Sequence, residues 1–259
     1  GEPSEAQLAQ TENLRLLQLT WAGADKYTRM ENLPQSVVLA NASGAFGTII
    51  AEYAIGSLVA LYRSFGRYWS NKQAHIWQKY DHAETISGKT ALVLGMGDIG
   101  ANVARRLKVF GAAVLGVKRT AVSTVPEDFE EAHTLDALDA LLPRADIVIG
   151  CLPNTRETAG LLTAERLHAM KAGAVLVNVG RGSLAGTDDL VSALQDGHLG
   201  GAALDVFETE PLPADCPLWD MENVLLTPHI AGPSFGGSAD VQNTIWHICM
   251  DNLERYLTG

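Results

Sequence analysis

The sequence predicts an α/β fold with a doubly wound parallel sheet. From Gly88 onward, short apolar runs alternate with stretches of helical periodicity, which is the pattern of βαβ units. The expected strands are Thr90–Leu94, Ala113–Val117, Ile147–Cys151, Val175–Val179, Ala202–Leu204 and Val224–Leu226. The expected helices are Ile99–Phe110, Leu135–Leu142, Ala164–Met170 and Thr187–Gln195, with Thr187 at the N-cap of the last one.

The regions before and after this alternating pattern predict further strands and helices. Strands are expected at Leu14–Leu19 and Val37–Ala40, and a long, mostly buried helix at Thr48–Ser64. Phe65–Tyr80 is rich in Trp, Tyr, Lys and Gln, which indicates an exposed arm or a partner surface, with core packing as the alternative. A glycine-rich loop at Gly232–Gly237 precedes an expected terminal helix, Asp240–Leu257.

Composition argues against several classes of protein. A hydrophobic fraction of 47% with 19% charged residues indicates a folded globular chain, not a disordered one. The net charge of −11 argues against a nucleic-acid partner, and no apolar run is long enough to span a membrane. The three cysteines lack CxxC spacing, so we expect neither a disulfide framework nor a metal site. With no export leader visible, a cytoplasmic location is expected.

A glycine motif follows the first buried strand of the alternating region. Gly95, Gly97 and Gly100 stand in GxGxxG spacing between the strand residues Ala91–Leu94 and an expected helix. In that context the first glycine allows a tight turn, the second lets the backbone approach a pyrophosphate, and the third permits close packing of helix on strand. The motif, with Asp98 and Ile99 at the helix start, predicts a Rossmann-type dinucleotide site; a merely tight turn is the alternative.

The end of the next strand predicts which dinucleotide binds. The motif leads us to expect a carboxylate there for the adenosine ribose, but Lys118, Arg119 and Thr120 occupy this stretch. Two cations and a hydroxyl suit a 2′-phosphate, which a carboxylate would repel. We therefore expect NADP(H) in preference to NAD(H). The alternative is that these are simply solvated charges at a strand end.

Three further strand ends supply candidate catalytic residues. Arg181 follows one buried strand between two glycines, Glu210 follows the next together with Asp205, and His229 follows the last. Carboxyl ends of parallel strands meet at one edge, where α/β sheets bind ligands. Reducing a carbonyl needs a cation and a proton donor, and a carboxylate beside His229 would favour its imidazolium form. Singly, each has a structural explanation, as an ion-pair partner, a turn residue or a core histidine.

These motifs together resemble the D-isomer-specific 2-hydroxyacid dehydrogenases, most closely the glyoxylate/hydroxypyruvate reductase branch. The resemblance covers nearly the whole chain, through Ala51–Ala54, Leu94–Gly100, Cys151–Thr155, Asn178–Gly182, Leu204–Pro213 and Thr227–Ile230. It implies that Arg181 binds the 2-oxo-carboxylate, that His229 is the acid/base paired with Glu210, and that both Arg181 and His229 also contact the cofactor. Asp205 is expected near the nicotinamide carboxamide.

The resemblance implies further binding residues. The backbone N–H groups of Ala22 and Gly23 would hold the substrate carboxylate. The cofactor would be lined by Leu152, Pro153, Thr158, Val179, Gly180 and Ala231. The substrate side chain would meet the loops Trp21–Tyr27, Asn41–Phe46 and Pro233–Phe235, with Trp246 equally suited to a core position.

The resemblance also implies a discontinuous architecture and a homodimer. Residues 1–45 and 232–259 would form a smaller, flavodoxin-like substrate lobe that is incomplete, and residues 46–231 the dinucleotide-binding domain with the dimer helix and arm. Family members usually begin with a further segment that carries the first strands of the substrate lobe. Without it, we expect Leu14–Leu19 to lack strand neighbours, in a chain that is either part of a longer protein or naturally short.

The expected function is NADP(H)-dependent reduction of a small 2-oxo acid, of glyoxylate or hydroxypyruvate type, to the D-2-hydroxy acid with His229 as proton donor. One alternative is an NAD-dependent 2-hydroxyacid dehydrogenase with a larger substrate. Another is a dinucleotide-binding regulatory protein or an inactive homologue, because fold does not fix function. Retention of Arg181, Glu210 and His229 together favours an enzyme.

Overall fold

The computed structural model describes residues 1–81, 83–233 and 236–259. The strands are β1 Leu16–Gln18, β2 Val38–Ala40, β3 Thr90–Leu94, β4 Ala113–Lys118, β5 Glu131–Thr134, β6 Ile147–Gly150, β7 Val175–Asn178, β8 Gly201–Leu204 and β9 Val224–Leu226. The α-helices are α1 Glu5–Leu8, α2 Asp25–Thr28, α3 Gly47–Tyr62, α4 Phe65–Gln73, α5 Asp98–Val109, α6 Leu138–Leu141, α7 Ala164–Ala169, α8 Thr187–Gln195 and α9 Ala239–Thr258. The chain divides into two compact units, Gly1–Phe46 with Gly232–Gly259, and Gly47–Ala231.

The larger unit is built on a seven-stranded parallel sheet in the order β5-β4-β3-β6-β7-β8-β9. Helices α3 and α5 pack on each other, α5 also contacts β3 and β4, and α3 contacts β7, β8 and β9. Residues on the other face, such as Leu92, Leu176 and Leu204, join side chains from α6, α7 and α8 in one buried core. Because helices cover both faces, the predicted doubly wound parallel sheet is confirmed.

The strand order places the functional edge. After β3 the chain adds β4 and β5 on one side and then crosses over to build β6 to β9 on the other. Such a reversal leaves a crevice outside the carboxyl ends of β3 and β6, which is where open α/β sheets bind ligands. Since all the strands run parallel, the segments that follow β3, β4, β6, β7, β8 and β9 emerge at this same edge.

Three local predictions were wrong. Strand β5 was not predicted, because Glu-Ala-His-Thr is a polar, half-buried edge strand without an apolar run. The expected helix Leu135–Leu142 is divided into a 3₁₀ turn, the four-residue α6 and a second 3₁₀ turn that contains Pro143. Thr187 is the first helical residue of α8, not its N-cap; the cap is Gly186, and the Thr187 N–H donates to Glu208 instead.

The smaller unit contains α1, α2, β1, β2 and α9 around its own core. Strands β1 and β2 pair in parallel, and Leu17 and Leu19 pack with Tyr27 in the buried cluster. The expectation that the Leu14–Leu19 run lacks strand neighbours was therefore wrong: its central residues Leu16–Gln18 form β1 and pair with β2. Within the predicted loop Gly232–Gly237, residues 234 and 235 lie outside the described residues.

The aromatic region after α3 begins as a helix. The predicted arm Phe65–Tyr80 contains α4 at its start and irregular backbone after it. Most of its large side chains are exposed, and Trp77 at 98% is the most exposed of them, whereas Tyr80 is half-buried. Tyr68 and Tyr80 contact each other edge to face, which joins the two ends of the segment. The segment therefore presents apolar surface that the described part of this chain does not cover.

The described residues offer neither a membrane span nor a metal site. None of the helices among residues 1–81, 83–233 and 236–259 is long and apolar enough to cross a membrane. No group of three His, Cys, Asp or Glu side chains within the same residues is arranged to hold a metal ion. The cysteines are free thiols, and burial raises the pKa of the Cys151 thiol to about 12, so that thiol stays protonated at neutral pH.

Candidate active site

The turn between β3 and α5 requires glycine at two positions. Gly95 has a φ of +107°, and a Cβ there would lie 2.9 Å from the carbonyl oxygen of Cys151. A Cβ on Gly100 would overlap the carbonyl oxygen of Gly95, so only glycine lets α5 start this close to β3. Gly97, by contrast, faces open space. The predicted turn is therefore both tight and open on its outer side.

The start of α5 leaves its backbone donors available. The N-cap is Gly97, and no side chain caps the first turn. The first N–H groups of a helix have no partner within the helix and carry a partial positive charge, which suits an anionic phosphate. The Asp98 carboxylate accepts from the Asn102 side chain at 3.1 Å, and Ile99 is half-buried.

A cavity of about 390 Å³ lies over this turn and across the crevice between β3 and β6. Its walls include Gly95, Gly97, Lys118, Arg119, Thr120, Leu152, Pro153 and Thr158. Lys118 and Arg119 form no ion pair with any described residue. The buried Thr158 hydroxyl donates to the Pro153 carbonyl oxygen and accepts from the Thr155 N–H at 2.8 Å, which fixes the far wall. Free helix donors, an open glycine and two unpaired cations fit the phosphates of a dinucleotide.

The loop after β7 positions Arg181. The buried Asn178 side chain accepts from the Gly180 N–H at 3.1 Å and donates to the Arg181 carbonyl oxygen at 2.9 Å. A Cβ on Gly180 would lie 2.7 Å from the Leu152 carbonyl oxygen, so this loop packs directly on the segment after β6. Val179 is buried beside it, and Arg181 Nη1 donates to the Gly180 carbonyl oxygen at 2.8 Å.

The structure brings His229 and Glu210 together. His229 Nδ1 lies 2.9 Å from Glu210 Oε2, and Glu210 Oε1 accepts from the Phe207 N–H at 2.9 Å. The two side chains are 49% and 36% exposed. Nε2 of His229 makes no hydrogen bond with the described residues. The pair borders a mostly apolar cavity of about 480 Å³, whose other walls include Phe207, Leu212 and Trp219.

Asp205 holds the backbone around His229. The residue is only 1% exposed. Its carboxylate accepts from the Ile230 and Ala231 N–H groups at 2.8 and 2.9 Å and from the Thr227 hydroxyl at 2.6 Å. Its carbonyl oxygen accepts from the His229 N–H at 2.8 Å. Contact between Asp205 and a cofactor stays a prediction; the bonds that its carboxylate makes here are to the loop that carries His229.

Tyr53 was not among the candidate site residues, although its hydroxyl contacts Thr227, two residues before His229. Its hydroxyl forms a short hydrogen bond with Thr227 Oγ1, and burial is the main cause that raises the pKa of this phenol. The bond joins residues 174 positions apart, so no local motif points to it. Its own composition does not single it out, because α3 also carries hydroxyls at Thr48, Ser57 and Tyr62.

In the smaller unit, Ala22 and Gly23 lie in the loop after β1. The Ala22 carbonyl oxygen accepts from the Asn41 side chain at 2.6 Å, whereas the N–H groups of Ala22 and Gly23 donate to no acceptor among the described residues. Trp21 stacks on Phe46 with ring centroids 5.8 Å apart. Trp246 is 53% exposed, which disfavours a core position, and part of the loop Pro233–Phe235 lies outside the described residues.

Known proteins resemble this chain along most of its length. A family model described as D-isomer specific 2-hydroxyacid dehydrogenase, NAD binding domain, matches residues 55–231. The glyoxylate reductase of Thermofilum pendens is 35% identical over 255 residues, which cover 95% of this chain and 73% of that protein. The D-3-phosphoglycerate dehydrogenase of Mycobacterium leprae is 35% identical over 224 residues, but these cover 86% of this chain and 42% of that longer protein.

A solved structure extends the likeness to the fold. The NADPH-dependent glyoxylate/hydroxypyruvate reductase of Sinorhizobium meliloti, in complex with NADP and sulfate, aligns with a TM-score of 0.81 at 30% identity. The alignment covers 95% of this chain and 76% of that one. The glycine turn, the parallel sheet and these matches agree, and the chain belongs to the D-isomer specific 2-hydroxyacid dehydrogenases, a family of nicotinamide-dependent oxidoreductases.

Proposed function

We propose that this protein reduces a small 2-oxo acid, of glyoxylate or hydroxypyruvate type, to the D-2-hydroxy acid with NADP(H). The observation that carries the proposal is the 2.9 Å contact between His229 Nδ1 and Glu210 Oε2 at the ligand-binding edge of the sheet. A carboxylate at Nδ1 selects the tautomer of the ring and stabilises its positive charge. Nε2 is then the nitrogen that exchanges a proton with the substrate.

The chain supplies the proton and the charge for the reaction. His229 donates a proton from Nε2 to the carbonyl oxygen of the 2-oxo acid, which becomes the hydroxyl of the product. Glu210 holds the ring during the transfer, and the Phe207 N–H holds Glu210. Arg181 binds the carboxylate and the 2-oxo group through its fork of N–H donors. The free N–H groups of Ala22 and Gly23 are proposed to bind the same carboxylate.

The nucleotide-binding residues are those around the β3–α5 turn. The first turn of α5 and Gly97 would hold the pyrophosphate, and Leu152, Pro153 and Val179 would line the rest of the cofactor. A nicotinamide bound along these residues would supply the hydride for reduction of the carbonyl carbon. Lys118 and Arg119, unpaired with any described residue, support NADP(H), and the Sinorhizobium meliloti relative is NADPH-dependent. The larger unit is thereby proposed as the dinucleotide-binding domain and the smaller unit as the substrate lobe.

The similarity to a phosphoglycerate dehydrogenase keeps a second function under test, namely NAD-dependent oxidation or reduction of a larger acid. Lys118 and Arg119 oppose it, because the adenosine ribose of NAD(H) carries no phosphate with which they could pair. A regulatory or inactive homologue is opposed by the intact pair of His229 and Glu210.

A homodimer is proposed through α4 and the arm after it. The exposed aromatic side chains Trp69 and Trp77 support this, together with the resemblance of the segment to the family's dimer contact. Sedimentation of the wild type and of Trp77→Ser tests it. A wild type that sediments as a monomer at high concentration would reject the dimer.

The catalytic proposal is tested by following NADPH absorbance with glyoxylate, hydroxypyruvate, 3-phosphohydroxypyruvate and phenylpyruvate. His229→Gln should lower kcat by roughly 10²- to 10⁴-fold, the usual contribution of general acid catalysis, while NADPH still binds. His247→Gln serves as the control, because His247 is exposed on α9. Turnover unchanged in His229→Gln rejects the proposed acid, and preference for the phosphorylated acid rejects the proposed substrate class.

A further inference from the structure

A line of hydrogen bonds connects the interior of α3 to the loop that carries His229. The Thr227 hydroxyl donates to Asp205 Oδ1 at 2.6 Å, so its oxygen is left to accept from the Tyr53 hydroxyl. Asp205 in turn accepts from the N–H groups of three successive residues, His229, Ile230 and Ala231. A connected network therefore runs from the Tyr53 hydroxyl, which also contacts Ser57 on α3, to the backbone of His229.

The His229 loop needs such support. His229 has a φ of +54°, in the left-handed region that costs a residue with a Cβ about 1–2 kcal/mol. A non-glycine residue stays there only when its surroundings hold it. Here the surroundings are the Asp205 oxygens on one side of the loop and the Glu210 carboxylate on the imidazole ring.

The Asp205 carboxylate depends on hydrogen-bond donors alone. No Lys or Arg forms an ion pair with it among the described residues, and it is shielded from water. A buried carboxylate without a counter-ion is sensitive to each donor that it keeps. Among the described residues, the Thr227 hydroxyl is the only side-chain donor to the Asp205 carboxylate. The Tyr53 hydroxyl fixes the direction of this Thr227 hydroxyl.

We propose that Tyr53 is a positioning residue for the proton donor: its hydroxyl orients Thr227 on Asp205 and so holds His229 in the geometry that the reaction needs. The inference rests on the proposed function, because it assigns His229 as the acid. It differs from a general packing role in one respect. A packing role depends on the ring of Tyr53 and survives the loss of the hydroxyl, whereas the positioning role is lost with the hydroxyl.

The test removes that oxygen and keeps the ring. Tyr53→Phe should lower kcat about 3- to 10-fold, as expected for one neutral hydrogen bond, while the Kd for NADPH measured by tryptophan fluorescence changes less than about 2-fold. Tyr62→Phe is the matched control, since Tyr62 is buried on the same helix and its hydroxyl bonds to no described residue. Thr227→Val should lower kcat further, and Thr227→Ser should restore it because the hydroxyl returns.

Two more measurements separate positioning from stability. Adding Tyr53→Phe to Thr227→Val should change kcat by less than about 2-fold, because residues in one network are not additive. In ¹⁵N-histidine-labelled protein without cofactor, the His229 Nδ1–H, assigned by its loss in His229→Gln, should exchange faster with water in Tyr53→Phe than in Tyr62→Phe.

The outcomes are distinct. Unchanged kcat and unchanged Nδ1–H exchange in Tyr53→Phe overturn the proposal, as does a loss of kcat matched by equal losses in Tm and NADPH affinity. If the wild type turns over none of the four acids, the proposed function fails, and the exchange of the Nδ1–H still decides whether Tyr53 positions His229.

Discussion

The charge at the end of β4 makes the most specific prediction about the cofactor. NADP(H) differs from NAD(H) only in the adenosine 2′-phosphate, so a residue that binds this group alters the affinity for one dinucleotide and not for the other. Arg119 is exposed and Lys118 is half-buried at the wall of the nucleotide cavity. Replacing Arg119 by Ala removes one cation without disturbing β4, which ends at Lys118.

The expected change in the Kd for NADPH follows from the exposure of Arg119. Two unit charges about 4 Å apart interact by about 1 kcal/mol in water and about 4 kcal/mol at an effective dielectric constant of 20. A hydrogen bond to a charged group contributes about 1.5–3 kcal/mol. Arg119→Ala should therefore raise the Kd for NADPH roughly 10- to 100-fold, since each 1.4 kcal/mol is tenfold. The Kd for NADH, which lacks the phosphate, should change less than about 3-fold.

The assay compares both dinucleotides in the wild type, Arg119→Ala, Lys118→Ala and the double variant, by fluorescence titration and by KM. Arg105→Ala is the control for loss of a surface cation, because Arg105 lies on α5 and pairs with Asp128. Raising the salt concentration should weaken the binding of NADPH more than that of NADH. Salt screens the attraction between exposed cations and the 2′-phosphate, with a Debye length of about 8–10 Å at moderate ionic strength. Equal loss of affinity for both dinucleotides, or a wild type that prefers NADH, refutes the reasoning.

Three further predictions concern the turn, the core and pH. Gly100→Ala should abolish tight dinucleotide binding and destabilise the fold by about 1–3 kcal/mol, because its Cβ overlaps a backbone carbonyl that cannot move aside; titration and urea unfolding measure both effects. Leu107→Ala, at a position with no exposed surface, should cost about 2–5 kcal/mol in urea unfolding. The hydrogen bond to Asp196, with a second one to the Ala164 carbonyl oxygen, raises the pKa of His168 above 6.5. The contact between His168 and Asp196 therefore contributes to the free energy of unfolding at pH 6.5 and below, until Asp196 is protonated in acid. This contribution is lost as the pH rises through the raised pKa of His168. Unfolding curves of His168→Gln should lack this loss, and an identical pH dependence in both proteins would contradict it.

The interior of the sheet could be predicted because its strands are buried on both faces. Such strands appear as continuous apolar runs, as in Ala91–Leu94 and Val175–Val177, and need no knowledge of their neighbours. The same reasoning fails at the edge. Strand β5 is half-exposed along its whole length, and it is a strand because β4 offers it hydrogen bonds, as in the pairing of Val117 with His133. Tertiary pairing decides such a segment, and its own composition does not.

The same division applies to the site. Gly95, Gly100, Lys118 and Arg119 could be assigned from sequence because the chemistry of phosphate binding is concentrated in one turn and the strand after it. His229 and Glu210 required one further step, namely that parallel strands end at a common edge.

Tyr53 could not be found in this way, because its partner Thr227 lies 174 residues away and the link is made by a helix face on a sheet. Asp205 likewise has contacts that the sequence does not reveal. The resemblance implied a contact with the cofactor, which stays a prediction, and the structure adds three donors to its carboxylate, from Thr227, Ile230 and Ala231. A motif can thus identify a residue of the site without the partners that hold it in place. The hydrogen-bond network supplies these partners, and in it α3 and the segments after β8 and β9 meet at the loop of His229.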